Sequence, residues 1–347
     1  MTETAIVILN WNGIDHLKKF LGKVVELSDF QGSSVYVADN GSTDDSVRWV
    51  TDNHPVVKVI KLDRNWGFAG GYNLALKEIY SKYFVLLNSD IEVSPGWLQP
   101  LVEYMEKNPE TAACQPKILS WQKRNEFEYA GAAGGFIDKY GYPFCRGRIF
   151  NHIEEDTGQY DQDRNIFWSS GACMMVRRDA WIKCEGFDAD FFAHMEEIDL
   201  CWRFHKAGYK VAYTSSSVVY HVGGGVLSYG SPFKTYLNFR NNLFLLYKNL
   251  PRKSFRRILF TRKLFDGISA VMFLVTGKPA LVKAIWNAHI DYYRAIPSLK
   301  HKRWKQSLPE IKVSENILNK SIVFEFYLKR KKTFDKLKLN ISNYEQK

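Results

Sequence analysis

The chain has 347 residues, 46% of them hydrophobic and 24% charged, which excludes a disordered chain for most of its length and allows about two domains. Its formal charge of +11 would, as an average, suggest a nucleic-acid or anionic-membrane binder. The charge is divided, however: residues 1–231 hold 23 basic and 30 acidic side chains (net −7), and residues 232–347 hold 25 and 7 (net +18), so two segments with different partners are expected.

Ala5 to Leu9 is a continuous apolar, β-branched run closed by Asn10-Trp11-Asn12-Gly13, and Asp15 to Leu27 carries helix-spaced apolar residues. This predicts a buried strand followed by a helix. A second strand, Ser34 to Ala38, ends in Asp39-Asn40-Gly41-Ser42, polar residues that can cap a helix starting near Asp44. A third strand over Val56 to Lys61, a helix over Gly70 to Tyr80, and a fourth strand over Tyr83 to Leu87 ending at Asn88-Ser89-Asp90 continue the alternation. Such alternation predicts an α/β domain with a mostly parallel sheet, which binds ligands at the carboxyl ends of its strands. The three polar clusters are therefore expected to converge on one crevice.

Residues 114–232 contain shorter strand-like pieces, glycine-rich turns at Gly131 to Gly135 and one helix, Glu196 to Ala207, as in the second half of a mixed sheet. Residues 1–231 read as one domain. Beyond Pro232, residues such as Tyr236, Phe239, Leu243, Leu246 and Tyr247 recur at helical spacing between Arg and Lys, predicting basic, aromatic-rich helices to about residue 295. A polar tail with the basic run Lys329-Arg330-Lys331-Lys332 follows. The longest apolar stretch, Leu264 to Val275, is a dozen residues and includes Asp266, short of the roughly 20 that a spanning helix needs. Neither a secretory leader after Met1 nor a disulfide or zinc framework among Cys114, Cys145, Cys173, Cys184 and Cys201 is expected; reduced thiols in the cytosol fit.

Several residues at these strand ends can carry chemistry. Asp90 offers a carboxylate where a hard divalent cation, Mg2+ or Mn2+, could meet phosphates; a turn or cap is the alternative role. Asp39 could accept hydrogen bonds from a nucleobase or simply turn the chain. In Asn65-Trp66-Gly67-Phe68-Ala69-Gly70-Gly71-Tyr72-Asn73, glycines ahead of a helix let backbone amides approach an anionic or planar ligand, or make a tight turn. Glu196, Glu197 and Asp199 open a helix after Phe191-Phe192; one acid would complement the helix dipole, and three invite a proton-accepting role. His221 ends a strand before glycines, in the same kind of position as Asp90.

The order of these motifs resembles the family 2 glycosyltransferases, in particular the rhamnosyltransferase-like branch. It runs from Ile6-Val7-Ile8-Leu9-Asn10-Trp11-Asn12 through Asp39 to Asp44, Asn65 to Asn73, Leu86 to Asp90, Gly171 to Arg178 and the acidic helix start to Tyr220-His221, about two thirds of the chain. The resemblance implies a GT-A fold and inverting transfer of a hexose or deoxyhexose. The donor would be a UDP- or dTDP-sugar, and the acceptor lipid-linked or a polysaccharide. It implies that Asp39 holds the base, with Asn10, Asn12, Asn65, Gly67, Gly70, Gly71 and Asn73 lining the nucleotide pocket and Asn88, Gly171 and Ala172 near the donor sugar. Asp90 corresponds to the last acid of the family's metal-binding DxD element, with His221 as second ligand, and Asn88 stands where that element has its first acid. The base aligns with Glu197, with Glu196, Asp199 and Trp168 as neighbouring helix-start or acceptor residues.

The basic carboxyl-terminal helices are expected either to lie on the anionic cytoplasmic face of the cell membrane or to form an oligomer interface. Two other classes stand against this reading. The +18 segment alone would suit a nucleic-acid binder, but no such module is visible and the acidic first part opposes it. A nucleotidyltransferase or nucleotide-sugar hydrolase would want paired metal carboxylates, and Asn88 stands at that position.

Overall fold

The computed structural model describes residues 2–223, 230–305 and 316–339; Gly224 and Gly225 of the motif after His221 lie outside them. The amino-terminal part alternates as predicted: β1 (Thr2–Asn10), α1 (Ile14–Leu27), β2 (Ser34–Asp39), α2 (Ser46–Asn53), β3 (Lys58–Lys61), α3 (Gly67–Ala75) and β4 (Ser81–Asn88). There follow β5 (Ile91–Val93), α4 (Leu98–Lys107), β6 (Thr111–Ser120), β7 (Gly135–Asp138), β8 (Pro143–Cys145), β9 (Arg148–Ile149) and β10 (His152–Ile153). Then come β11 (Arg164–Ile166), β12 (Cys173–Arg177), α5 (Arg178–Lys183), α6 (Glu196–Lys206) and β13 (Lys210–His221). The carboxyl-terminal part holds α7 (Pro232–Asn249), α8 (Arg252–Val275), α9 (Pro279–Lys305), β14 (Ile317–Leu318) and α10 (Ile322–Tyr327).

Nine strands form one sheet in the order β11-β13-β6-β12-β4-β1-β2-β3, with β5 on β13. Strands β3, β2, β1 and β4 are mutually parallel, whereas β12 runs antiparallel to β4 and β6, so the second half is mixed. The register sets Asn10 beside Asp39 and Leu9 beside Asn88, which aligns three strand ends. Ala5 to Ile8 are buried because helices cover both sheet faces, which is why β1 is uniformly apolar rather than alternating. On α1, Leu17, Phe20, Leu21 and Val24 turn one stripe inward; burying each side chain contributes about 1.5–3 kcal/mol.

Three features differ from the expectation. Helix α3 starts at Gly67 rather than Gly70, because side chains complete its first turn: Gly67 N donates to Asn65 Oδ1 (2.8 Å) and Trp66 N to Asn40 Oδ1 (3.0 Å). A second, five-stranded sheet, β10-β9-β8-β7-β14, is present, in which carboxyl-terminal β14 pairs in parallel with β7. Helix α9 continues through Pro297 to Lys305 instead of stopping near 295.

The apolar core is continuous across residue 231. Leu243 to Leu246 of α7 and, further on, Phe326, Phe334 and Leu337 join the cluster that covers one face of the main sheet. The Phe334 ring lies 4.9 Å from that of Phe136. In the basic run, Lys329 and Lys331 both pair with Glu325, at 2.7 and 2.6 Å. Helices α7 and α9 run parallel: Tyr236 donates to Asp291 (2.8 Å), and Arg303 donates to the carbonyls of Tyr247 and Leu250. Helices α8 and α9 form an antiparallel hairpin, with Lys263 on Tyr293 and Asp266 on His289.

Candidate active site

The crevice is built at the carboxyl ends of β1, β2 and β4. Asn10, fully buried, donates from Nδ2 to Asp39 Oδ1 and to Ser42 Oγ, both at 3.2 Å, while Ser42 N donates to Asp39 Oδ2 (3.0 Å). Asp39 is thereby oriented and keeps acceptor capacity, since a carboxylate offers about four lone-pair sites. Asn12, with φ 51°, accepts from Thr43 N (2.7 Å) and clamps the β1 and β2 loops together. Asn40 reaches across to the next loop, donating to Asn65 Oδ1 (3.1 Å) and Gly67 O (3.0 Å).

Gly67 sits at φ +71°, and a Cβ there would stand 2.5 Å from the Phe192 ring, so this loop is packed against the segment that precedes α6. Ala69 N donates to Phe192 O (3.1 Å). Gly71 lies equally close to Leu9 and Asn40, and Gly70 approaches Trp66. Asn73 faces elsewhere: it donates to Phe187 O (2.7 Å) and accepts from Phe187 N (2.9 Å), which uses its amide for loop packing.

Asp90 and His221 meet as the pairing of β13 with β5 requires, His221 lying opposite Ile91. Asp90 Oδ1 is 3.2 Å from His221 Nε2, and on the other side of the ring Glu128 Oε2 is 3.3 Å from Nδ1; all three are buried. Burial alone would lower the imidazole pKa, but the Glu128 and Asp90 carboxylates outweigh it and raise it to about 10. Burial likewise opposes ionisation of Asp90, and His221 overrides it, holding the carboxyl below its ordinary range.

A divalent cation fits these residues only by displacing the proton that His221 holds between the two carboxylates. Two ligands at about 2.1 Å on one octahedral ion stand about 3 Å apart, close to the Asp90–His221 separation. Glu128 on the far nitrogen is the arrangement that fixes a ligating imidazole. Among the described residues no cluster of three or more His, Cys, Asp or Glu makes a complete cage, so a cation would depend on substrate phosphates. Nearby, Asn88 N donates to Ala172 O (2.9 Å), and Gly171 packs against Phe68, which brings Asn88, Gly171 and Ala172 together.

The acids of α6 separate into different roles. The helix follows three left-handed non-glycine residues, Phe192 (φ 63°), His194 (φ 69°) and Met195 (φ 72°), a conformation that costs of order 1–3 kcal/mol each and needs surrounding support. Asn241 of α7 supplies it, donating to the carbonyls of Phe191, Ala193 and His194 at 2.9, 2.8 and 2.7 Å. Arg240 adds bonds to Asp190 O and Phe191 O, both at 3.0 Å.

Glu196 and Glu197 each have an Oε2 closed off from solvent and without a hydrogen-bond partner. Burial pushes both carboxyls up, Glu197 to about 7, while backbone N–H groups at the helix start partly oppose this for Glu197. Asp199 points the other way. Fully buried, it accepts from Lys248 (2.9 Å), Arg203 (2.9 Å) and Asn249 (2.8 Å), and burial is outweighed by Lys248 and Arg203, so it stays ionised. Asp188 pairs with the same Lys248 (2.6 Å) and with Lys302. Asp199 thus anchors α6 to α7, and its complete burial keeps both oxygens from a substrate.

Trp168 is also in the core. It is 4% exposed, and its indole N–H donates to Phe136 O (2.9 Å) with the ring lying over Gly135. Sequence reasoning passed over Glu128, Asn241, Arg240 and Lys248. The polar Arg240-Asn241-Asn242 run between buried Leu237 and Leu243 breaks the apolar phase of α7 and was a usable signal; Glu128 had none.

Comparison with known proteins gives the family and the fold. A curated N-acetylglucosaminyl-diphospho-decaprenol L-rhamnosyltransferase of Mycobacterium tuberculosis is 26% identical over 234 residues, 62% of this chain and 75% of that one. The rhamnosyltransferase WbbL of Escherichia coli K12 is 25% identical, over 59% and 76% of the two chains. Among solved structures, S. aureus TarS 1-349 in complex with UDP-GlcNAc superposes with a TM-score of 0.54 at 15% identity, covering 88% of each chain. The mannosyltransferase PcManGT from Pyrobaculum calidifontis, in complex with GDP-Man and Mn2+, gives 0.51 at 14% identity over 90% and 88%. The Glycosyl transferase family 2 profile matches residues 5–184, more than half of the chain. With its GT-A architecture and the order of its strand-end residues, this chain belongs to glycosyl transferase family 2, near the rhamnosyltransferases.

Proposed function

We propose that the chain transfers a hexose or deoxyhexose, with inversion, from a UDP- or dTDP-sugar to a hydroxyl of a lipid-linked or polysaccharide acceptor. The observation that carries this reading is the Glu197 carboxylate, held at the start of α6 with one oxygen unpartnered and out of solvent. Asp39 and the amides around Gly67 to Gly71 hold the nucleotide, and Asn88, Gly171 and Ala172 border the sugar. Asp90 and His221 would hold a Mg2+ or Mn2+ ion, whose charge would offset the negative charge on the diphosphate. Glu197 takes the acceptor's proton as the acceptor oxygen bonds to the anomeric carbon, and the bond from that carbon to the diphosphate breaks, its electron pair leaving with the nucleoside diphosphate.

A carboxylate with a pKa near the working pH suits this step, being mostly ionised yet basic enough to accept a proton. Residues 1–231 form the catalytic part in this reading, and residues 232–347 brace it and meet the acceptor's surroundings. No helix among the described residues is long and apolar enough to cross a membrane. All five cysteines are free and buried, as a reducing compartment allows; this reading sets the reaction at the cytoplasmic face of the membrane.

The test is a thermal-shift screen of UDP-, dTDP- and GDP-sugars with Mg2+ or Mn2+, followed by transfer assays on wild type and Glu197→Gln. Donor binding that survives in Glu197→Gln with transfer abolished supports the assignment. Donor turnover at the same rate without any acceptor would point to hydrolysis instead.

A further inference from the structure

Helix α8 is built inside out. Its buried positions are Leu259, Arg262 and Asp266, the last two paired at 2.8 Å, with Asp266 also on His289 and the Arg262 guanidinium over the Tyr142 ring. Its outward face is apolar: Phe260, Leu264, Ile268, Val271 and Val275 are each more than half exposed. They recur at steps of four and three residues, so they form one continuous strip, which no described residue covers. The same spacing continued backward meets Lys253 and Arg257, both exposed, and Lys278 and Lys283 are exposed at the far end. A strip this long on a protein surface marks an interaction site.

We propose that the α8–α9 hairpin is a membrane-docking element whose outward strip enters the headgroup and upper acyl region of an anionic bilayer. Lys253 and Arg257 at one end, with Lys278 and Lys283 at the other, meet lipid phosphates. Charge chooses this occupant over a second copy of the chain, because two segments of net +18 would be brought face to face in a dimer. The hairpin is also placed to matter for the site. Tyr236 is level with Asp291, and the 12 residues from there back to Pro279 extend about 18 Å past it, toward the amino-terminal end of α7. At that end Phe233 is half exposed and its ring stands 6.3 Å from that of Phe192, in the loop that leads to the acids of α6. A bilayer under the strip therefore comes to the same end of the bundle as the catalytic loop. The link to a lipid-linked acceptor rests on the proposed function; the docking itself does not.

Flotation of the full-length protein with vesicles of phosphatidylglycerol and phosphatidylcholine tests this. Wild type is expected to float with them at low salt and far less with phosphatidylcholine alone. The combined variant Ile268→Ser, Val271→Ser and Val275→Ser, all at exposed positions, is expected to lose about tenfold in bound fraction with an unchanged melting temperature. Indifference of wild type to the anionic vesicles, or equal flotation of the variant, overturns the proposal. So does a lipid-independent dimer in sedimentation that the variant dissociates, since a second copy is then the occupant. Glu197→Gln is expected to float like wild type, and the strip variant to keep transfer to a short, water-soluble acceptor. Flotation without transfer by wild type overturns the enzymatic reading alone, and transfer without flotation overturns docking alone.

Discussion

Replacing Glu197 by Gln removes a charge without changing shape, and its consequences for rate and for stability have opposite signs. Loss of a general base costs typically 10²–10⁴ in rate, about 3–5 kcal/mol of transition-state stabilisation, and that loss is expected in kcat. Stability moves the other way. The Glu197 carboxyl is raised from 4.5 to about 7 in the folded protein, because burial penalises its charged form. A raised carboxyl leaves stability intact below the unfolded-state pKa and costs stability as pH rises toward the folded one. At 1.36 kcal/mol per pH unit the cost is about 1 kcal/mol near pH 5 and about 3 kcal/mol near pH 8. Glutamine cannot ionise and escapes it, so the variant is expected to melt above wild type near pH 8, by roughly 5 °C, and close to it near pH 5.

The assays are a pH series of thermal melts and a pH–rate profile for transfer. Wild-type turnover should rise with pH through about 7 and then level off, as the base ionises. A melting difference independent of pH, or near-wild-type turnover by the variant, would refute the argument and move the base to Glu196.

Other substitutions probe the supports of the site. Asn241→Ala removes a donor shared by three loop carbonyls, of which Phe191 O keeps Arg240, and should lower kcat at least about tenfold with the donor KM little changed, while Asn241→Gln should not restore it; an unchanged kcat would show that the left-handed loop holds itself. Lys248→Met leaves the buried Asp188 and Asp199 carboxylates short of a partner and should cost about 3–5 kcal/mol, read as a drop in urea midpoint. Gly67→Ala places a methyl 2.5 Å from the Phe192 ring at a left-handed φ and should weaken nucleotide binding, measured by calorimetry with the nucleoside diphosphate. Asp90→Asn should weaken donor binding in the presence of Mn2+ far more than in its absence; equal weakening in both would argue against a metal role.

What the chain alone determined is the part written in local pattern. The β-branched run of β1, the polar closures after β1, β2 and β4, and the helix period of α1 and α6 are short-range signals, so the α/β order and the converging strand ends were legible. Boundaries shifted where distant side chains intervened, as when Asn40 completes the first turn of α3. Tertiary structure decided what spacing cannot. Glu196, Glu197 and Asp199 look alike in the sequence, but the phase of α6 turns Asp199 into a paired core and leaves Glu196 and Glu197 each with a bare oxygen. Glu128 joins His221 only because the segment after β6 folds back along β6, which pairs with β13, across 93 positions of chain. The +11 charge follows the same division: composition reported a basic carboxyl-terminal segment, and only packing revealed that α8 hides an Arg–Asp pair and turns its apolar face outward, since a buried ion pair once satisfied inside leaves the opposite face free to seek an apolar surround.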